Sequence, residues 1–165
     1  MHKKLKKLAI GTAAVAGLLL GTHFAWADET ITVELWDSGA ETEMPTDMGL
    51  AMAHGNDMSN ATMGIRVSTD TVAAGQITFD VTNVSTDTIH EMVLAHIDDV
   101  TKPLPFNAEE NEVDEEAVEG PGEVSELDTG ESGSLTVNLD AGTYILYCNL
   151  PGHYAAGMWT LLTVK

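Results

Sequence analysis

Cys148, His153 and Met158 fall within eleven residues of one another, on the segment Tyr147-Cys148-Asn149-Leu150-Pro151-Gly152-His153-Tyr154-Ala155-Ala156-Gly157-Met158. Thiolate, imidazole and thioether are soft or borderline donors, and as a set they suit copper in both oxidation states. Pro151-Gly152 forces the chain to turn, and Gly157 allows close backbone approach just before Met158. The loop can therefore point three side chains at one ion. A trigonal His₂Cys site with a weak axial Met is the pattern of a mononuclear electron-transfer copper. Such a site needs a second histidine from elsewhere. Cys148 is the only cysteine, so no disulfide can form within the chain. A lone cysteine is commonly a buried, inert thiol. The imidazole and thioether that follow at this spacing argue for a ligand instead.

Beyond the first 27 residues the histidines are His54, His90, His96 and His153. His90 follows a turn signal at Ser85 to Asp87 and opens a strongly apolar stretch, which places it at a strand end. His96 lies six residues later on the same face, about 20 Å away along a strand. The two cannot hold one ion together. His90 enters the core strand beside Met92 and Leu94, whereas His96 runs out into Asp98-Asp99 and reads as a rim residue. His90 is the candidate fourth donor.

These residues need a β framework, and the chain supplies one. Strand patterns cover residues 31–36, 64–68, 76–84, 89–97, 134–139, 143–148 and 158–164. Turn signals at Ala74-Gly75, Thr129-Gly130, Ala141-Gly142 and Pro151-Gly152 separate many of them. The expectation is an all-β fold, a Greek-key sandwich or barrel. Cys148 then ends one strand and Met158 begins the next. The one helical expectation is residues 107–119, with Asn107 as N-cap and Glu110 completing a capping box. Two stretches exceed a minimal sandwich. Residues 41–63 hold Met44, Met48, Met52, His54, Met58 and Met63, and residues 98–131 carry 13 acids against Lys102 alone. The first reads as an apolar flap over the sandwich rim, with a second, labile copper site at His54 and some of the methionines as the alternative. The second reads as a solvated, acid-rich insertion.

Residues 1–27 read as a secretory signal: Lys3 to Lys7, an apolar run from Leu8 to Leu20, then Ala25-Trp26-Ala27 as the cleavage pattern. That run is too short to span a bilayer, so no membrane insertion is expected after cleavage. The mature chain would begin at Asp28 and work in the periplasm or otherwise outside the cytoplasm. Residues 28–63 would form the first strand and the Met-rich stretch of the same domain as residues 64–165. The full chain has 7 Lys+Arg against 26 Asp+Glu, a net charge of −19. Without residues 1–27 three bases face all 26 acids, a balance of −23. Such a surface repels phosphate backbones and excludes nucleic acid as a partner. It suits either steering toward a redox partner with a basic docking face or keeping the protein soluble in high salt, and the sequence does not choose between them.

At Cys148, His153, Met158 and His90 the chain resembles the cupredoxin family of small blue-copper proteins. Within it, the chain is most similar to exported copper-binding proteins with an Asn-x₆-His-Glu segment, here Asn83 to Glu91. Their loop is of the Cys-x-x-Pro-Gly-His-x-x-Gly-Met type, and this one carries one extra alanine. The resemblance implies a Greek-key sandwich holding one type-1 copper through His90, Cys148, His153 and axial Met158. It implies one-electron transfer, copper tolerance, or both, with copper buffering through a Met/His site as the alternative. Many members carry Asn directly after the first histidine; here the residue is Glu91, so their tuning of the metal does not transfer at this position. An enzyme is disfavoured. Cys148 and His153 lack an oriented third group for nucleophilic chemistry. Relatives that feed further coppers place histidine beside the cysteine, where this chain has Tyr147 and Asn149.

Overall fold

Alternating burial writes the first sheet. Strand β1 (Glu29–Asp37) buries Ile31, Val33 and Leu35, and β4 (Gly75–Asn83) buries Ile77, Phe79 and Val81, while the residues between face out or are half-buried. With β2 (Met63–Val67) and β9 (Ser132–Leu139) they form a sheet of order β2-β1-β4-β9, in which β1 and β4 run parallel. The second sheet has the order β3-β11-β10-β5-β8. Its members are β3 (Thr71–Val72), β5 (His90–Ile97), β8 (Gly122–Leu127), β10 (Gly142–Tyr147) and β11 (Trp159–Val164). The structure is a computed structural model that describes residues 28–53, 57–118 and 120–165. The expected signal segment, residues 1–27, and His54 lie outside the described residues. The fold is all-β, with mixed sheets and no α-helix among the described residues.

The second sheet is apolar on both faces, which is why β5 and β10 read as continuous apolar runs instead of alternating ones. Between the sheets, Met92, Leu94, Leu146, Cys148, Met158 and Leu162 pack against Leu35, Phe79 and Val81. On the outer face, Val93, Ala95, Ile145, Tyr147 and Trp159 are covered by Leu50, Leu104, Val113 and Tyr154. Leu50 belongs to the Met-rich stretch. Part of that stretch is thus a cover over the second sheet.

The helix expected at residues 107–119 does not form. In its place stand a hairpin, β6 (Phe106–Asn107) with β7 (Glu112–Val113), and a single 3₁₀ turn at Glu115–Ala117. The cap contacts do exist. Asn107 Oδ1 accepts the amides of Glu109 and Glu110 at 3.0 and 3.4 Å, and Asn107 Nδ2 donates to Glu110 Oε2 at 2.6 Å. They close a turn rather than start a helix, because Asn111 takes a left-handed φ of 61° and its amide bonds back to Asn107 O. Val113 is then buried in the outer core, for which a solvated helix has no use. Strand β8, inside the acid-rich stretch, has no counterpart among the expected strands. Val124 and Leu127 are its only buried residues, three apart, so it shows no period of two.

Candidate metal centre

His90 reaches its place because a buried asparagine shapes the turn before it. Asn83 is fully buried. Its Nδ2 donates to Thr88 O at 2.8 Å and Leu127 O at 2.9 Å, and its Oδ1 accepts the Ser85 amide at 2.9 Å. Two backbone groups of the turn and the Leu127 carbonyl at the end of β8 are thus satisfied by one side chain. The β5–β8 pairing then shifts register between His90 and Met92, an irregularity of the kind that re-aims a side chain.

The loop from Cys148 to Met158 is closed by its own backbone. Cys148 N donates to Met158 O at 3.1 Å, Met158 N to His153 O at 3.0 Å, and Ala156 N to Gly152 O at 2.9 Å. Gly157 holds φ of 101°, and a Cβ there would stand 2.8 Å from Met58 Cε. Asn149 ties the loop to the acid-rich segment. Its Oδ1 accepts from Val113 N at 2.7 Å, its Nδ2 donates to Glu115 Oε1 at 2.8 Å, and its amide donates to Glu91 Oε1 at 2.9 Å.

Three of the sequence candidates converge. His90 Nδ1 lies 3.3 Å from His153 Nδ1, and Cys148 Sγ lies 3.3 Å from the same His153 atom. The donor atoms of His90, Cys148 and His153 all fall within 4.8 Å of one another, and all three residues are buried. Met158, also fully buried, packs in the same core cluster as Cys148. His96 stays at the rim, with its ring against Tyr144 and its side chain 44% exposed.

Burial dominates the electrostatics. It pushes the Cys148 thiol up to about 12, although amide hydrogen bonds from Glu91 and Leu150 pull it the other way. It pulls His153 down to about 4, with His90 adding to the effect. It lowers His90 too, against the opposing pull of Asp37. A neutral thiol and two neutral imidazoles thus share a dry pocket. A soft cation fits this set, since it supplies the positive charge that lets the sulfur ionise there.

One contact at the site involves a residue with no signal in the chain, and another falls where Glu91 stands in place of the family's asparagine. His90 Nε2 is 2.8 Å from Asp37 Oδ2, across the sandwich. Glu91 contributes a half-buried acceptor to the Asn149 amide. The only local hint for Asp37 is its position before Ser38-Gly39, where Oδ1 accepts the Gly39 amide in an Asx turn.

The methionines of residues 41–63 divide by burial. Met48 and Met63 are buried, Met52 and Met58 pack half-buried against the outer core, and Met44 is 40% exposed. Their segment is fastened to the Cys148–Met158 loop and the strand after it: Met48 N donates to Ala155 O, and Trp159 Nε1 to Met48 O, both at 2.8 Å.

The family profile of copper binding proteins, plastocyanin/azurin family, matches residues 49–165, and the chain belongs to that family. Its members, the cupredoxins, bind copper and carry electrons. Auracyanin-B of Chloroflexus aurantiacus is 56% identical over 39 residues, which cover 23% of this chain and 17% of that protein. Rusticyanin from Thiobacillus ferrooxidans is a similar solved structure, with TM-score 0.51, 17% identity, and 84% of this chain and 79% of rusticyanin covered. Auracyanin from Roseiflexus castenholzii, in its dithionite-reduced form, gives TM-score 0.47 and 18% identity over 85% of this chain and 98% of its own.

Proposed function

We propose that the chain is an exported one-electron carrier, not an enzyme, with a single type-1 copper that His90, Cys148, His153 and Met158 would hold. The observation that carries this reading is the convergence of two imidazole nitrogens and one thiol sulfur in a buried pocket. Copper, when bound, supplies a one-electron couple. The chain supplies rigidity. The Asn83 turn, the self-bonded loop and the Asn149 tie hold the donors in one arrangement, which lowers the rearrangement a change of charge would demand. His153 is 8% exposed while His90 and Cys148 are fully buried, so electrons would pass at the His153 edge. Ile89, Leu150 and Pro151 line a cavity with His153 there, beside the acids Asp87 and Glu126, a mixed rim for docking. The acidic surface would steer a partner with a basic face, faster at low salt. Among the described residues no helix is long and apolar enough to cross a membrane.

The test is direct. Added Cu(II) should give an intense visible thiolate-to-copper band that Cys148→Ala abolishes. A colourless wild type, or a coloured variant, ends the type-1 assignment. Export is checked by the mass of the periplasmic protein, which should begin at Asp28.

Copper tolerance is the second role, and one observation favours it. The exposed Met44 lines a cavity of about 240 Å³ with Asp37, Met63 and His153, and thioethers of this kind bind Cu(I). Copper titration should then pass one equivalent; saturation at one, in both oxidation states, removes the second site. Deletion of the gene separates the roles: copper sensitivity marks tolerance, a respiratory defect alone marks the carrier.

A further inference from the structure

One short, buried contact beside the donor set has no part in the reading above. His90 Nε2 and Asp37 Oδ2 stand 2.8 Å apart, with side chains 0% and 4% exposed. Asp37 closes β1 of the first sheet and His90 opens β5 of the second, so the pair bridges the sandwich at its metal end. A carboxylate this dry is costly unless donors satisfy it. Here Oδ1 takes the Gly39 amide at 2.8 Å and Oδ2 faces the imidazole.

A neutral imidazole carries its proton on one nitrogen only, and an ionised carboxylate can only accept. The proton therefore sits on His90 Nε2 and donates to Asp37. That leaves the Nδ1 lone pair bare, 3.3 Å from His153 Nδ1. The other tautomer would set a lone pair against the carboxylate and turn an N–H into the donor pocket. The acids of residues 98–131 that face solvent are screened, but the Asp37 charge is not.

From this geometry we infer that Asp37 is a positioning residue for copper. It fixes the tautomer of His90 and, through its buried negative charge, makes Nδ1 a stronger donor to Cu(II) than to Cu(I), which lowers the reduction potential. The inference rests on the copper reading and deepens it. Partners of this kind, which orient a ligating histidine, typically change metal affinity 10–100-fold when removed.

The experiment compares wild type with Asp37→Asn, Asp37→Ala and the control Glu29→Gln, which removes a charge at the far end of the same strand. Both Asp37 variants should keep the thiolate band. In Asp37→Asn, which keeps an acceptor but no charge, the ratio of Cu(II) to Cu(I) affinity should fall about tenfold, a rise of about 59 mV. Asp37→Ala should rise further, and Glu29→Gln should match wild type. Nitrogen-15 NMR of the metal-free protein should show the His90 proton on Nε2 in wild type and on both nitrogens in Asp37→Ala. A coloured Asp37→Asn with an unchanged potential overturns the proposal. So does a metal-free wild type protonated at Nδ1, which needs no variant to fold. A wild type with no band defeats only the copper reading, and the tautomer then decides for or against Asp37.

Discussion

Asp37 faces the imidazole of His90 and Glu91 follows His90 in the chain, and the two carboxylates live under opposite conditions. Burial raises Asp37, but hydrogen bonds from Ser85, Gly39, His90 and Thr88 outweigh it and hold the carboxyl below its usual range. Burial also raises Glu91, to about 7, and there the only relief is the Asn149 amide, while Glu115, Glu123 and Glu126 push it further. Proximity to a ligand therefore does not fix what a carboxylate does. The number of donors aimed at it does. Asp37 serves as a buried charge, and Glu91 serves as an acceptor that brings a charge the site does not favour.

The strongest way to break that contrast is truncation in the metal-free protein. Asp37→Ala strands the Gly39 amide and the His90 Nε2–H, removes an acceptor from the hydroxyls of Ser85 and Thr88, and should cost about 2–4 kcal/mol, read from the urea midpoint. Glu91→Ala strands only the Asn149 amide and should cost about 1–2 kcal/mol. If the two losses match, donor count is not what separates these carboxylates.

Next in size is the pH profile of the metal-free protein, where the two act with opposite signs. Asp37, lowered in the fold, contributes stability above its unfolded pKa of 3.8 that is lost as pH falls through its native value. The buried neutral imidazoles of His90 and His153 add to the same acid-side loss. Glu91, raised from 4.5 to about 7, contributes stability at low pH that is lost as pH climbs from the lower value through the higher. Glu91→Gln keeps an acceptor for Asn149 and removes the charge. Its melting temperature should rise relative to wild type as pH goes from 5 to 8, on the order of the pKa gap that linkage converts into stability. A constant gap would show that Glu91 does not titrate as a repelled, half-buried acid.

How much of this was legible in the chain depends on where the information sits. The loop from Cys148 to Met158 was legible as one tight connection because Cys148, His153 and Met158 follow one another on one turn, so their geometry is local. His90 was legible because a strand begins there. The alternating strands of the first sheet were read within a residue or two, since only one face of that sheet is buried. Strand β8 was missed because its buried Val124 and Leu127 keep no alternation. The Asn107 helix failed because a cap motif is also a turn motif, and only the burial of Val113 chooses between them. Asp37 was silent for a different reason. It is one acid among 26, 53 residues before the histidine it meets, and only the crossing of β1 and β5 brings the two together.

The smallest effect asks which force lifts Glu91. Burial comes first among the causes and Glu126 last. Glu126 is solvent-exposed on β8, so its field reaches Glu91 partly through water, where about 1 M salt cuts the Debye length to roughly 3 Å. Glu126→Gln should thus move the alkaline-side loss of the metal-free protein by no more than a few tenths of a pH unit, worth under about 0.5 kcal/mol. That small shift should vanish in high salt, whereas the larger effect of Glu91→Gln should persist, because salt does not restore the water that half-burial removes from its carboxyl. If salt erased both together, repulsion among the acids would be the governing force. The contrast with Asp37 would then be one of charge crowding rather than of donors.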